Sequence, residues 1–236
     1  MIARILGSVA AVAAGLSSAV ITSATPTASA APCPDVHVMF ARGTDEDPGV
    51  GPTGQAFVDA LLPRVPGKSL DVYAVDYPAT EEWATGIEGI RDAGTHLVSM
   101  VGSCPDTQMV LGGFSQGAAV MGFVTSAVVP YGIDPVTVPR PLDPEVAEHV
   151  SSVVLFGAPN ARAMEFLGTP AFEIGPLYQA KTIQVCAPED PVCSDGMNFA
   201  AHTSYPNDAA MIDEGAAFAA ARLGGASAPA PAGFGD

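Results

Sequence analysis

Five short runs of strand-forming apolar residues recur along the chain, and a stretch with helical spacing follows nearly every one. That alternation restricts the fold more than any other feature. The runs cover residues 36–41, 70–75, 107–112, 152–157 and 182–186. Several are apolar at almost every position rather than at every second one, as in strands covered on both faces. Residues 53–62 gather Phe57, Val58, Leu61 and Leu62 on one side, and residues 80–101 space Trp83, Ile87, Ile90, Leu97 and Val98 at roughly helical intervals. Residues 115–129 are rich in Ala and Val, and residues 206–223 direct Met211, Ile212 and Phe218 inward. The pattern predicts the α/β class: a parallel five-stranded sheet with helices on both faces. A chain of 236 residues that is 48% hydrophobic can bury a real core, which excludes disorder throughout. Nine Lys and Arg stand against 25 Asp and Glu, a net charge of -16. That balance excludes a nucleic-acid partner, which needs clustered cations. It also points to neutral, cationic or greasy ligands, because a negative surface repels anions.

Both ends fall outside the predicted domain. Arg4 precedes an apolar stretch over residues 5–21, and a small polar segment ends in Ala28-Ser29-Ala30. This reads as a signal peptide over residues 1–30, too short and too often broken by serine for a membrane anchor. The domain then spans residues 31–223, with a disordered Gly/Ala/Pro-rich tail over 224–236 and no transmembrane span after cleavage. A secreted chain, extracellular or held in a cell wall, can keep disulfides, and four cysteines allow two in three possible pairings. The favoured pairing closes a tight loop between Cys186 and Cys193 and leaves Cys33 with Cys104. On the chain-entropy model the long bridge contributes about 4 kcal/mol and the short one about 2. The cysteine spacings do not suit a metal, so no metal site is expected.

Gly113-Phe114-Ser115-Gln116-Gly117 fits G-x-S-x-G and lies between a predicted strand and a predicted helix, where a sharp turn projects the Ser115 hydroxyl. A serine needs a base, and only four histidines exist. His37 and His96 precede the serine, and His149 belongs at the opposite sheet edge. His202, after the last strand, fits the chain order Ser, acid, His. The acid belongs to the loop after the fifth strand, where Asp190 is favoured and Glu189 and Asp195 remain open. An oxyanion hole would take the Gln116 backbone N–H and a donor from the loop after the first strand, Thr44. Arg42 beside it is expected to form a structural ion pair. No cofactor is required.

Ala41-Arg42-Gly43-Thr44, Gly112 to Ala118, Phe156-Gly157-Ala158-Pro159 and the Cys186 to Cys193 loop occur in an order and spacing that resemble the cutinase family, nearest its mycobacterial secreted esterases. The resemblance runs from Cys33 to Leu223. It implies a minimal α/β-hydrolase, nearly lidless. Ser115 resembles the nucleophile, His202 the base, Asp190 the acid, and Thr44 with Gln116 the oxyanion donors; the family also supports Cys33–Cys104 and Cys186–Cys193. Two departures stand out: Ala158 where many relatives have Asp, and Thr44 where fungal members have Ser. The implied activity is hydrolysis of esters or lipids with short to medium acyl chains by a monomer. The alternatives are a carbohydrate-directed esterase, acting on acetylxylan or a mycolate glycolipid, and a non-catalytic binding protein on the same scaffold. Leu177-Tyr178 and Met197-Asn198-Phe199 could line an acyl groove.

Overall fold

The structure, a computed structural model, describes residues 32–224. The predicted signal peptide and all of the predicted tail beyond Gly224 lie outside the described residues. Five strands, β1 (Val36–Ala41), β2 (Leu70–Ala74), β3 (Gln108–Phe114), β4 (Val150–Phe156) and β5 (Thr182–Val185), pair in the order β2-β1-β3-β4-β5, every neighbour parallel. The helices are α1 (Gly51–Leu61), α2 (Gly86–Ser103), α3 (Gln116–Val124), α4 (Pro144–His149), α5 (Ala161–Phe166), α6 (Pro176–Gln179), α7 (Phe199–His202) and α8 (Ala209–Arg222). α1 and α8 cover one face around Phe40, Phe57 and Phe156; α2 and α3 cover the other around Met39, Leu111 and Leu155. The central strands β1, β3 and β4 are buried at almost every position, which is why they read as continuous apolar runs.

The differences from the expected boundaries have local causes. β3 runs two residues past its predicted end because Gly113 and Phe114 stay in the ladder, opposite Ala41 and Phe156. A Cβ on Gly112 would meet the Phe40 ring at 2.5 Å, so glycine there is a packing requirement. The helix expected over 80–101 is a 3-10 turn, Trp83–Thr85, followed by α2. The one expected over 115–129 stops at Val124, where the Thr125 hydroxyl turns back onto the Met121 carbonyl at 2.9 Å. Residues 126–143 then cross the α2–α3 face as a strap with neither helix nor strand. The last helix starts at Ala209, capped by the Asp208 carboxylate accepting from the Ala210 and Met211 N–H groups. Both favoured disulfides are formed, Cys33–Cys104 and Cys186–Cys193.

Candidate active site

The chain leaves β3 at Phe114 and enters α3 at Gln116, and Ser115 makes the turn between them with φ 53° and ψ -117°. A non-glycine residue in that region carries strain that its surroundings must hold. The Ser115 N–H donates to the Phe156 carbonyl at 3.0 Å, which fastens the turn to β4. A Cβ on Gly113 would lie 2.4 Å from the Gly117 carbonyl, and one on Gly117 would lie 2.0 Å from the Ala41 carbonyl. The two glycines of the motif therefore let α3 start directly against the exit of β1.

One side chain meets the Ser115 hydroxyl, and a second holds that one from behind. His202 ends α7, whose first turn is capped by Asn198. Its Nε2 is 2.8 Å from Ser115 Oγ, and its Nδ1 is 2.9 Å from Asp190 Oδ2. With the proton on Nδ1 donated to the carboxylate, Nε2 presents its lone pair to the hydroxyl. The Phe114 ring stacks on the imidazole at 5.2 Å, and Gly157, at φ +55°, leaves room beside it. Asp190 is fully buried. Its Oδ1 accepts from the Val192 N–H at 2.8 Å, and its Oδ2 also accepts from the Tyr205 hydroxyl at 2.7 Å. Tyr205 is itself fully buried against Phe156, and burial, with Asp190 adding to it, pushes its phenol well above the usual value, so it remains a donor. The Ser194 hydroxyl and N–H both donate to the Asp190 carbonyl, which ties the disulfide loop to itself. Of the other acids considered, Glu189 is exposed and Asp195 faces Arg162 at 3.6 Å. His37, His96 and His149 all lie elsewhere: His37 meets His96, and His149 contacts the Pro105 carbonyl.

The loop after β1 is braced from inside. The expected ion pair of Arg42 is not formed among the described residues. Its guanidinium donates instead to three carbonyls, those of Glu46 at 2.8 Å, Tyr77 at 2.6 Å and Pro78 at 3.3 Å. A buried guanidinium has five donors to satisfy, and a turn rich in carbonyls satisfies them more fully than one carboxylate. The Glu46 carboxylate is turned to the Gly43 N–H at 2.7 Å. Burial raises its pKa, opposed by that hydrogen bond and by the positive charge of Arg42. Thr44, half-buried, lies inside this braced turn. Gln116, as the first residue of α3, has a backbone N–H with no intrahelical acceptor. Its side chain donates to the Thr80 carbonyl at 3.0 Å. All four non-glycine residues of positive φ among the described residues border this region: Asp45, Ala79, Ser115 and Glu189. Glu46 and Tyr205 escaped sequence reasoning. Glu46 carries no motif signal, and Tyr205 would have been found only by asking which buried phenol could reach the acid loop.

Beside Gln116 a cavity of about 750 Å³ opens between α2, α3 and the 126–143 strap. It lies where sequence reasoning did not look. Of the segments expected to line a groove, Tyr178 is buried in the core, while Met197 and Phe199 are exposed. The signal that could have found the cavity is the strap itself, since Val128, Val129, Ile133 and Val138 among prolines must rest on something apolar.

The chain is similar to known proteins in sequence and in fold. The family model described as Cutinase matches residues 32–223. A probable carboxylesterase of Mycobacterium tuberculosis, Culp5, is 55% identical over 168 residues, 71% of this chain and 95% of its own. The carboxylesterase Culp1 of the same organism is 45% identical over 199 residues, 83% of this chain and 85% of its own. Among solved structures, an acetyl xylan esterase superposes with a TM-score of 0.66 at 26% identity, covering 81% of this chain and all of that one. The chain is an enzyme of the cutinase family.

Proposed function

We propose that the protein is a secreted serine esterase that hydrolyses carboxylic esters through an acyl-enzyme on Ser115. The observation that carries this reading is the unbroken line of hydrogen bonds from Ser115 Oγ through the His202 imidazole to the buried Asp190 carboxylate, 2.8 and 2.9 Å long. His202 takes the hydroxyl proton as Oγ bonds to the ester carbonyl carbon, and Asp190 stabilises the imidazolium. The backbone N–H groups of Gln116 and Thr44 receive the oxyanion. The C–O bond to the alcohol breaks, and the alcohol leaves with the proton from His202. Water, deprotonated by the same imidazole, then releases the acid and restores Ser115. Two formed disulfides support export, since reducing compartments do not keep them. No helix among the described residues is long and apolar enough to cross a membrane.

The apolar cavity beside Gln116 favours an ester with a hydrocarbon chain over a polysaccharide acetate, whose acyl group would leave it empty. A serine-directed fluorophosphonate tests the reading. Wild type is expected to be labelled at Ser115 and to lose hydrolysis of p-nitrophenyl butyrate in step, while Ser115→Ala stays unlabelled. A folded wild-type protein that resists the reagent would overturn it.

A further inference from the structure

Eight of the nine Lys and Arg residues fall within residues 32–224. Six of these are held by a carboxylate, a carbonyl or amide oxygen, or an aromatic ring. Arg91 and Arg140 have no such partner among the described residues, and both line the cavity beside Gln116. Arg91 comes from α2 and Arg140 from the strap, so two separate elements bring the unpaired cations to one groove. One carboxylate, Asp143, shares the lining. The groove is thus locally positive on a chain of net charge -16. This reverses, at one place, the expectation that the protein repels anions.

Most of the remaining wall is apolar, with Thr95, Thr169 and Gln116 as its polar members. Ile87, Ile90, Gly94 and Val98 repeat at helical intervals along one side of α2, a stretch of about 16 Å at 1.5 Å per residue. Gln116, which is buried, adjoins Ser115 and carries an unpartnered Oε1, also lines the groove. A long apolar trough with a few polar groups at fixed points is the usual form of a small-molecule site.

We propose that this groove binds the hydrocarbon chain of an anionic amphiphile, with the phosphate, sulfate or carboxylate head held by Arg91 and Arg140. As a statement about substrate it rests on the esterase reading: the preferred esters carry a long chain and an anionic group. As a statement about binding it stands alone. Two arginines from different elements suit an anion because each guanidinium offers paired N–H donors.

Trp83 is the single tryptophan of the chain and lines the groove, so its fluorescence reports occupancy directly. The Ser115→Ala protein, full length, would be titrated below micelle-forming concentrations with dodecyl phosphate, dodecyl maltoside and inorganic phosphate. Dodecyl phosphate is expected to bind saturably and at least tenfold more tightly than dodecyl maltoside, and inorganic phosphate to leave Trp83 unchanged. Arg91→Gln with Arg140→Gln should remove most of that preference and leave maltoside binding in place. Gly94→Leu, where a Cβ meets only Leu142 at 3.7 Å and helix propensity improves, should weaken both amphiphiles at least tenfold. Val98→Glu, at a half-exposed position, should weaken dodecyl phosphate more than maltoside and serves if Gly94→Leu does not fold. Equal affinities for the two amphiphiles, a preference that survives the double variant, or a phosphate response without a chain would each overturn the proposal. If dodecyl phosphate binds as described while the fluorophosphonate fails on wild type, the esterase reading falls and the groove remains.

Discussion

Two histidines in this fold each lie between a carboxylate and a second polar nitrogen or oxygen, and only one of them belongs to a candidate active site. His202 sits between Asp190 and Ser115 at 2.9 and 2.8 Å. His37 has Asp71 3.1 Å from Nδ1 and His96 2.9 Å from Nε2. The first carboxylate is fully buried and takes hydrogen bonds from Val192 and Tyr205 as well as the imidazole. The second is 64% exposed, and its contact with Nδ1 lacks the direction of a hydrogen bond. Asp71 is there because the β1–β2 register places it opposite His37. The third group differs most. Beyond His202 lies a hydroxyl at a strained turn, beside an N–H that α3 leaves unpaired. Beyond His37 lies another base, stacked on Tyr73 at 3.6 Å. His37 is near the amino end of β1, where no helix begins; His202 is at the carboxyl edge, where α3 does. An imidazole beside a carboxylate becomes catalytic machinery only where the sheet edge also supplies a nucleophile and N–H donors.

The largest expected effect comes from exchanging the carboxylates. Asp190→Asn would leave the imidazole in the wrong tautomer and lower kcat about 10⁴-fold. Asp71→Asn should change kcat less than about twofold, since surface pairs of this kind contribute little. Measuring both with p-nitrophenyl butyrate breaks the comparison if the two losses are of similar size.

Each cluster also has its own disulfide. Cys33–Cys104 fastens the amino end of the sheet near His37, and Cys186–Cys193 closes the loop that carries Asp190. Replacing the first pair by serine should cost about 4 kcal/mol of stability, and the second about 2, because the longer loop restrains the unfolded chain more. Activity should follow the opposite order. The folded protein without Cys33–Cys104 should keep its kcat, while the one without Cys186–Cys193 should lose several-fold as Asp190 loosens. Denaturant unfolding alongside initial rates separates the two, and full activity without the short bridge would show that the loop needs no clamp.

How much of this was legible in the sequence depended on whether a feature is local. The elbow could be read because Gly113, Ser115 and Gly117 act within five residues, and the strands because buried parallel strands are apolar throughout. The chain order of serine, acid and base singled out His202, since only four histidines exist. Asp190 was favoured, but the residues alone left Glu189 and Asp195 open, because part of what distinguishes it is a hydrogen bond from Tyr205, fifteen residues away and buried by Phe156. Arg42 was misread for the same reason. Its partners are carbonyls of residues 77 and 78, and a carbonyl belongs to every residue and so leaves no mark in a sequence. The groove was missed because an irregular strap has no period to detect.

The smallest expected effect concerns the His37 pair. Burial lowers the pKa of both His37 and His96, and for His37 the neighbouring imidazole lowers it further while Asp71 opposes. Asp71 and Asp92 raise that of His96 against its burial. In the unfolded chain both titrate near 6.5. The unfolded state therefore binds more protons as the pH drops through 6.5, and stability present above that value is lost on the way to the folded pKa. The loss is on the order of 1 kcal/mol for each unit by which folding lowers the pKa. His37→Gln should flatten the unfolding free energy between pH 7.5 and 5.5 and leave the pH profile of kcat/KM in place. A profile that shifts with His37→Gln would tie the two clusters together; a slope that survives the substitution would assign the acid sensitivity to other groups.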